Sequence, residues 1–331
     1  MKQLVPLLSL LLLWACHKQP VLPATLSVYY WKTRFSLSAP QQQFLDRYAI
    51  QKLYIRYCDI ILAEGEAVPD APVELDTAAL KGKEVIPVIY IKNEVFLSDK
   101  VVVEQLAKKL SRYIGQINHT YGLTIKQVQL DCDWSLRSKE RYFDFIKYLK
   151  AQNAYQLSAT IRLHQVKYHD RTGIPPVDYG VLMYYNMGKI TATGANSIYE
   201  RTTAQKYLPA LHSYPLPLKV ALPIFSWGVH SAAGEVTNLV SGLTTAQADT
   251  LSSLSRMGDS HCYMVTKQHP YKGQLWQKGD IIKIEEITPS DLETMKKDLI
   301  KYMRQPPKEL ILYDLNTNID TYEKDFFEKL R

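Results

Sequence analysis

A repeating alternation of short apolar runs with longer amphipathic stretches is the feature that most limits how this 331-residue chain can fold. Eight runs are rich in β-branched and aromatic residues, and most are followed by a helical pattern or by a loop long enough to hold a helix. The runs are residues 26–32, 53–61, 84–91, 127–133, 156–164, 180–186, 219–227 and 309–315. Because alternating strands and helices pair their strands in parallel, eight such units predict an α/β fold, the (β/α)8 TIM-type barrel.

The stretches between the runs carry the apolar stripes of helices that pack on a barrel wall, one of them extending from Val102 to Ile117. Between the seventh and eighth runs, two further strand-like segments, 262–266 and 281–285, flank a turn region with glycine and proline. They predict a small β-hairpin insertion between strands 7 and 8. No linker interrupts the pattern, so residues 26–331 are expected to form a single barrel domain.

The N-terminus carries the pattern of an export signal. A basic residue precedes an apolar run, 4–14, that is too short to span a bilayer. The run ends in the sequence LWAC, which resembles the bacterial lipobox. The resemblance implies a lipoprotein signal peptide at residues 1–15, lipidation of Cys16 and a tether over residues 16–25. The protein is then expected in the cell envelope, lipid-anchored to a bacterial membrane, in particular the outer membrane. An ordinary cleaved signal or a short anchor is the alternative.

Composition and motifs exclude several function classes. The chain has 40 basic and 33 acidic residues, a net charge of +7, but the basic residues are scattered rather than gathered with aromatics in a patch. Nucleic acid is therefore not an expected partner. Apart from Cys16, the cysteines are Cys58, Cys132 and Cys262, an odd number without CxxC spacing, which favours buried thiols over disulfides or a zinc site. No phosphate-binding glycine motif follows a strand, so a nucleotide cofactor is not expected. The histidines form no convincing metal pair, so no metal is expected either.

Polar and aromatic residues gather at the carboxyl ends of the predicted strands, where barrels of this kind place their ligand sites. In the sequence QLDCDWS at residues 129–135, Asp131 and Asp133 share one face of a strand, opposite Leu130 and Cys132. Carboxylates at the exit of a buried strand are costly unless paired or used, so both are candidate catalytic residues. Further candidates for binding are Tyr30, Trp31, Arg162, His164, Trp227, Asp314 and Asn316. Aromatic walls beside carboxylates predict a carbohydrate cleft.

QLDCDWS is also similar to the fourth-strand signature of the chitinase-type glycoside hydrolases of family 18. The sequence MYYN at residues 183–186 is similar to that family's Met-x-Tyr-Asp element. The resemblance implies that Asp131 and Asp133 match the inner two acids of the signature. It further implies that Tyr185 and Asn186 help to hold the acetamido group of a sugar.

Two positions depart from the signature, since Val128 replaces its first acid and Ser135 replaces its catalytic glutamate. A serine offers no carboxylic acid to protonate a leaving oxygen, so the usual substrate-assisted cleavage is not expected. Over residues 128–188 the chain more closely resembles a family of uncharacterised exported bacterial lipoproteins with a TIM barrel, distantly related to the chitinase-type hydrolases. Such a resemblance implies the fold more strongly than an activity.

The sequence is compatible with two functions of different class, one enzymatic and one not. In the first, the barrel binds and cleaves a carbohydrate, with Asp133 as the catalytic carboxylate, Asp131 tuning it and an acid borrowed from Asp59 or Asp314. In the second, the barrel is catalytically silent and serves as a glycan-binding or scaffold protein. A structural interpretation competes with both, in which the aspartates pair with neighbouring basic residues and the aromatic residues fill the core.

Overall fold

The computed structural model describes residues 24–258, 260–315, 319 and 322–331. The predicted signal peptide, the predicted lipidation site Cys16 and the predicted binding residue Asn316 lie outside the described residues. Eight strands form a barrel. They are β1 (Thr25–Tyr30), β2 (Lys52–Ala63), β3 (Glu84–Ile91), β4 (Gln127–Asp131), β5 (Gln156–Arg162), β6 (Tyr179–Met183), β7 (Leu218–Pro223) and β8 (Glu309–Tyr313).

The eight strands pair in parallel in chain order, and β1 closes the sheet by pairing with both β8 and β2. Ser27 of β1 lies opposite Ile311 on one side and opposite Lys52 on the other. This closed sheet, with helices around it, confirms the predicted (β/α)8 TIM-type barrel. Each predicted apolar run overlaps a barrel strand, because a strand buried on both faces needs an unbroken apolar sequence.

The helices of the described residues pack around the barrel and at its ends. They are α1 (Ala39–Arg47), α2 (Glu94–Leu97), α3 (Val103–Tyr121), α4 (Lys139–Gln152), α5 (Leu163–Lys167), α6 (His169–Thr172), α7 (Arg201–Gln205), α8 (Thr245–Thr250), α9 (Pro289–Tyr302) and α10 (Phe326–Leu330). The longest, α3, buries Leu106, Leu110 and Ile117 of the predicted stripe. It ends at Gly122, which adopts the left-handed conformation (φ 64°) that glycine favours. Within the described part of the chain, every helix is too short or too polar to cross a bilayer.

Between β7 and α9 the chain forms a second sheet of five antiparallel strands, here called the insertion sheet. In spatial order its strands are Glu235–Ser241, Trp227–Ala232, Ile281–Glu285, Cys262–Val265 and Leu254–Arg256. A separate two-stranded hairpin, His269–Tyr271 with Gln274–Trp276, packs on it through the ring of Trp276. The insertion sheet has its own apolar core, which is separate from that of the barrel.

The insertion sheet is larger than the small hairpin predicted from the sequence. The two predicted segments do pair with each other, as Tyr263 lies opposite Ile282, but they are two strands out of five. Trp227 was assigned to the seventh barrel strand, whereas that strand ends at Pro223 and Trp227 begins the insertion sheet. The strand Glu235–Ser241 is not predicted by the sequence pattern, because most of its residues are exposed and it has no run of apolar residues.

The base of the barrel interior, at the amino ends of the strands, holds a buried ion cluster. Glu309, the first residue of β8, lies 3.1 Å from the Lys52 ammonium and 2.9 Å from the Lys219 ammonium. It also accepts hydrogen bonds from the hydroxyls of Ser27 and Tyr54. Burial raises the pKa of Glu309, but the two lysines and the Ser27 hydroxyl outweigh it and lower the pKa overall. The carboxylate is therefore held in its charged form.

Candidate ligand site at the barrel mouth

Asp131 is the last residue of β4 and points into the barrel mouth, where it is buried. Its Oδ1 accepts a hydrogen bond of 2.6 Å from the hydroxyl of Thr160 on β5. Burial raises the pKa of Asp131 to about 6, and the charge of Asp133 adds to the effect, while the Thr160 hydroxyl and the Arg162 charge oppose it. Asp131 can therefore gain or lose a proton close to neutral pH.

Asp133 lies two residues further along, in the loop after β4, and its side chain is about half exposed (47%). Both of its carboxylate oxygens accept hydrogen bonds of 2.5 Å from Arg162, one from Nε and the other from Nη2. Such a two-point pair fixes the geometry and neutralises the carboxylate. Asp133 and Arg162, both predicted site residues, therefore lie in contact. For Asp133 the structure contains the ion pair of the structural interpretation.

The segment after Asp133 anchors the loop instead of extending the site. The indole of Trp134 is buried between Tyr142 and Phe143, and its Nε1 donates a hydrogen bond to the Thr172 carbonyl oxygen. Trp134 is thus a packing residue. Its rigid position determines where the next residue, Ser135, is placed.

Ser135 occupies the position that matches the family's catalytic glutamate, and its hydroxyl is part of a local network. The Ser135 and Ser138 hydroxyls lie 3.1 Å apart, and the Ser138 hydroxyl donates to Oδ1 of Asn93 at 2.5 Å. The Ser135 backbone N–H also donates to the Ser138 hydroxyl. The hydrogen-bond partners in this network are therefore neutral, at the position that matches the acid of the chitinase-type signature.

An aromatic cluster forms the opposite wall of the mouth, centred on Tyr313 at the end of β8. The Tyr313 ring stacks on Tyr185 with centroids 5.1 Å apart, and it contacts Tyr29 and Trp31 at 5.4 and 5.7 Å. Phe225 lies 5.6 Å from Tyr313. Tyr313 was missed by the sequence reasoning, which read the polar residues of this strand as the inward ones. Strand alternation places Tyr313 on the same face as Ile311 and Glu309, and choosing this face as the inward one would have identified Tyr313.

The wall continues to Trp227 at the first position of the insertion sheet. Its ring lies 5.0 Å from that of Phe225, and its Nε1 donates a 2.7 Å hydrogen bond to Oε2 of buried Glu285. The indole is partly exposed. Because the N–H group is held by the insertion sheet, the ring has a fixed orientation at the rim of the mouth.

Asn186, just beyond β6, is the residue of the mouth with the most evident unused hydrogen-bonding capacity. It has a left-handed backbone (φ 52°), which asparagine tolerates better than most residues. Its side-chain Oδ1 is buried and has no hydrogen-bond partner among the described residues. A buried acceptor without a partner costs free energy that a ligand donor could recover.

The other predicted site residues of the described chain are Tyr30, His164 and Asp314. Tyr30 points to the outside of the barrel, where its ring packs on Phe35 and its hydroxyl donates to the backbone of the following loop. His164 is on α5, which starts directly after β5, and partial burial followed by the Arg162 charge lowers its pKa. Asp314 follows β8 and is half-buried. Tyr30 is thus turned to the outer face of β1, away from the mouth.

A cavity with a volume of about 380 Å³ opens beside the aspartates. It is lined by Trp31, Thr33, Arg56, Asp59 and Tyr90. Arg56 donates to Asp59 through Nε at 2.8 Å, and Tyr90 lies opposite Asp131 in the β3–β4 register. Asp59 is therefore a third carboxylate near the mouth, but like Asp133 it is paired with an arginine. Tyr90 was not anticipated, because its strand reads as continuously apolar.

In the part of the chain that the structure describes, the histidine, cysteine and carboxylate side chains do not form a group of three able to hold a metal ion. The chemistry available at the mouth is that of two arginine–aspartate pairs, one buried carboxyl group and a wall of rings. These groups suit a polar, ring-shaped ligand that stacks on aromatic residues and forms hydrogen bonds.

Comparison with known proteins shows that solved structures share the fold of this barrel. No family model matches the sequence, and no curated protein matches it. Solved structures do match: the Bacillus cereus spore cortex-lytic enzyme SleL aligns with a TM-score of 0.58 at 14% identity, over 93% of this chain and 73% of that one. A chitinase from Chromobacterium violaceum aligns with a TM-score of 0.58 at 11% identity, over 93% of this chain and 99% of the other.

A family 18 chitinase from Cycas revoluta in complex with (GlcNAc)3 aligns with a TM-score of 0.56 at 12% identity, over 93% of this chain and 98% of that chain. At such identities the likeness concerns the fold. It confirms the resemblance of this barrel to the chitinase-type hydrolases of family 18.

Proposed function

We propose that the barrel mouth binds a saccharide and does not cleave it by the substrate-assisted route of chitinases. The proposal is supported by the aromatic wall around Tyr313, the unpartnered acceptor of Asn186 and the fold shared with a chitinase solved with (GlcNAc)3. The observation that carries it is Ser135, whose hydroxyl lies in a network of neutral groups at the position where an acid is required.

The ligand is expected to stack on Trp227 and Tyr313 and to donate a hydrogen bond to Asn186. Stacking of a sugar ring on an aromatic face needs a rigid ring with an exposed surface, and the Glu285 contact provides this for Trp227. The arginine–aspartate pairs supply both donors and acceptors for hydroxyl groups. An N-acetylated oligosaccharide is the natural first probe.

Binding and turnover should be measured on the same preparations. We expect chitotriose to bind in calorimetry without release of shorter sugars over days, and Trp227→Ala to weaken binding by roughly tenfold, a change of about 1.4 kcal/mol. Trp227→Phe retains a ring but removes the N–H group, so it serves as the matched control and should lose less affinity. Failure of chitotriose, chitooligosaccharides and peptidoglycan fragments to bind would contradict the proposal.

Hydrolysis is the second candidate, favoured by one observation: the pKa of Asp131 near 6 suits a general acid. In this version Asp131 or Asp133 supplies the carboxyl chemistry. Turnover by the unmodified protein that Asp133→Asn abolishes would support it. Activity that arises only in Ser135→Glu would instead show that the missing carboxylic acid at position 135 is the reason the unmodified protein is inactive.

The proposal includes a lipid anchor at Cys16 and a position in the bacterial cell envelope, at the outer membrane. It is supported by the lipobox-like LWAC sequence after a short apolar run. Labelling of cells with a radioactive fatty acid should mark the protein, and Cys16→Ser should remove the label. A mature chain that starts elsewhere and carries no lipid would exclude the anchor.

A further inference from the structure

A larger cavity, of about 760 Å³, lies at the opposite end of the barrel from the mouth. It spans the amino ends of several barrel strands, and we refer to it as the basal cavity. Its lining includes Thr25 of β1, Tyr179 of β6, Lys219 of β7 and Glu309 of β8. A cavity of this size is in the range that holds small molecules or their polar groups. Catalytic sites of such barrels lie at the other end, so the basal cavity is a separate site.

The basal cavity is lined by two cations that have no paired acid among the described residues. Arg304 and Lys308 line it, both are exposed, and neither forms an ion pair within the described part of the chain. The acids at the cavity are already engaged. Glu309 is held by two lysines, and Asp178 accepts hydrogen bonds from the Lys150 ammonium and the Leu157 N–H. An anion entering the cavity would therefore meet two available cations and no free carboxylate of this lining.

Apolar side chains from residues 211–218, which lead into β7, and from the segment after α9 also line the cavity. They are Leu211, Leu216, Leu218, Met303 and Pro306. An arginine fork suits a phosphate group, and an apolar wall beside it suits the carbon portion of an amphiphile. The chemistry of the cavity is thus that of a phosphate ester with a hydrocarbon part.

The position of the basal cavity indicates where such a ligand would come from. The N–H group of Thr25 donates a 2.9 Å hydrogen bond to the carbonyl oxygen of Lys308, so the chain enters the barrel at the rim of the cavity. From Cys16 to Ala24 there are eight residue steps, which reach at most about 28 Å at roughly 3.5 Å per residue. A lipid on Cys16 would keep this end of the barrel near the bilayer and turn the mouth away from it.

We propose that the basal cavity binds the phosphate-bearing headgroup of an anionic phospholipid, with Arg304 and Lys308 contacting the phosphate. The choice of a lipid as the ligand rests on the proposed anchor at Cys16. The preference of the cavity for an anion does not. Binding would fix the orientation of the barrel on the membrane, with the saccharide site directed outward.

The test is native mass spectrometry of the full chain in a non-ionic detergent. The probes are dihexanoylphosphatidylglycerol, dihexanoylphosphatidylcholine and sn-glycerol 3-phosphate. We expect the phosphatidylglycerol to bind and the phosphatidylcholine to bind less well. Arg304→Glu combined with Lys308→Glu should weaken phosphatidylglycerol binding by about tenfold or more, since two charge-assisted contacts become repulsive. The matched control reverses two exposed cations of the insertion, Lys267→Glu and Lys278→Glu, and should change nothing.

Equal binding of both lipids, or charge reversal at the cavity without effect, would overturn the proposal. Glycerol phosphate binding as tightly as the lipid would reassign the cavity to a free phosphate ester and exclude the lipid. Arg304→Ala with Lys308→Ala repeats the test if the charge reversal lowers the melting temperature. Chitotriose binding should be unchanged in all basal variants, so a failure here is distinguishable from a failure of the saccharide site.

Discussion

Asp131 and Asp133 are separated by one residue, yet their surroundings give them different chemical roles. Asp133 is exposed and held at two points by Arg162, which fixes its position. Asp131 is buried, accepts a hydrogen bond from Thr160 and has a pKa of about 6. The first is suited to positioning groups at the mouth, and the second is suited to sensing or moving a proton.

The Thr160 hydroxyl should set the proton affinity of Asp131. Thr160→Val keeps the shape of the side chain but removes the donor that stabilises the ionised form, so the pKa of Asp131 should rise above 6. Carboxyl carbon chemical shifts followed by NMR across pH 4 to 9 would measure it. Ser158→Ala, on the same face of β5 but without a hydrogen bond to Asp131, is the matched control and should leave the titration unchanged.

Strand alternation predicted some of these residues and misplaced others. It placed Asp131, Asp133 and Arg162 together because each projects from the inward face of a strand or from the loop just after it. It selected Tyr30 for the mouth, whereas Tyr29 is the inward residue; alternation does not distinguish the two because both faces of β1 are buried and carry a tyrosine. The pairing of Asp133 with Arg162 depends on side-chain rotamers, which the sequence pattern does not specify.

At the scale of single elements, β8 links the two ends of the barrel interior. Its first residue, Glu309, holds the ion cluster at the base, and its last, Tyr313, centres the aromatic wall at the mouth. Inward residues along one strand thus contribute to stability at one end and to the proposed ligand contact at the other. A buried ion pair adds little net stability against an apolar replacement, but it is costly to break.

Removing the charge of Glu309 should therefore destabilise the barrel strongly. Glu309→Gln leaves Lys52 and Lys219 without their carboxylate, and we expect a loss of about 3 to 5 kcal/mol in the free energy of unfolding at pH 7. Urea denaturation followed by circular dichroism would measure it. The control is Glu104→Gln, which breaks the exposed ion pair with Lys108 on α3 and should cost far less. Equal losses in the two variants would show that the cluster is not stabilised by its charges.

The insertion sheet shows that exposed edge strands are the elements that the sequence pattern does not predict. Barrel strands are buried on both faces and give unbroken apolar runs, whereas Glu235–Ser241 is an exposed edge strand of the insertion sheet. Its residues follow no burial pattern that alternation could detect. The fixed orientation of Trp227 depends on Glu285, a neighbour distant in sequence, so this part of the site could be found only from the fold.

At the scale of the whole molecule, the two ends of the barrel carry carboxyl groups with opposite pH behaviour. Glu309 has a lowered pKa, so its contribution to stability is present above its ordinary pKa and is lost as the pH falls below that value. Asp131 has a raised pKa, so the folded protein retains a proton that the unfolded chain has already released. Ionisation of Asp131 therefore reduces stability as the pH rises from about 4 to about 6.

The two effects together predict a maximum of stability on the acid side of neutrality, with Asp131 responsible for the decline above it. Because the pKa of Asp131 rises from 3.8 to about 6, its ionisation costs roughly 3 kcal/mol by pH 7.

Asp131→Asn cannot ionise, so its free energy of unfolding should change less between pH 4 and pH 7 than that of the unmodified protein, as measured by urea titrations at closely spaced pH values. Asp99→Asn, at an exposed position before α3, should leave the pH profile unaltered. If the free energy of unfolding of Asp131→Asn falls with pH as steeply as that of the unmodified protein, another group causes the decline and Asp131 does not.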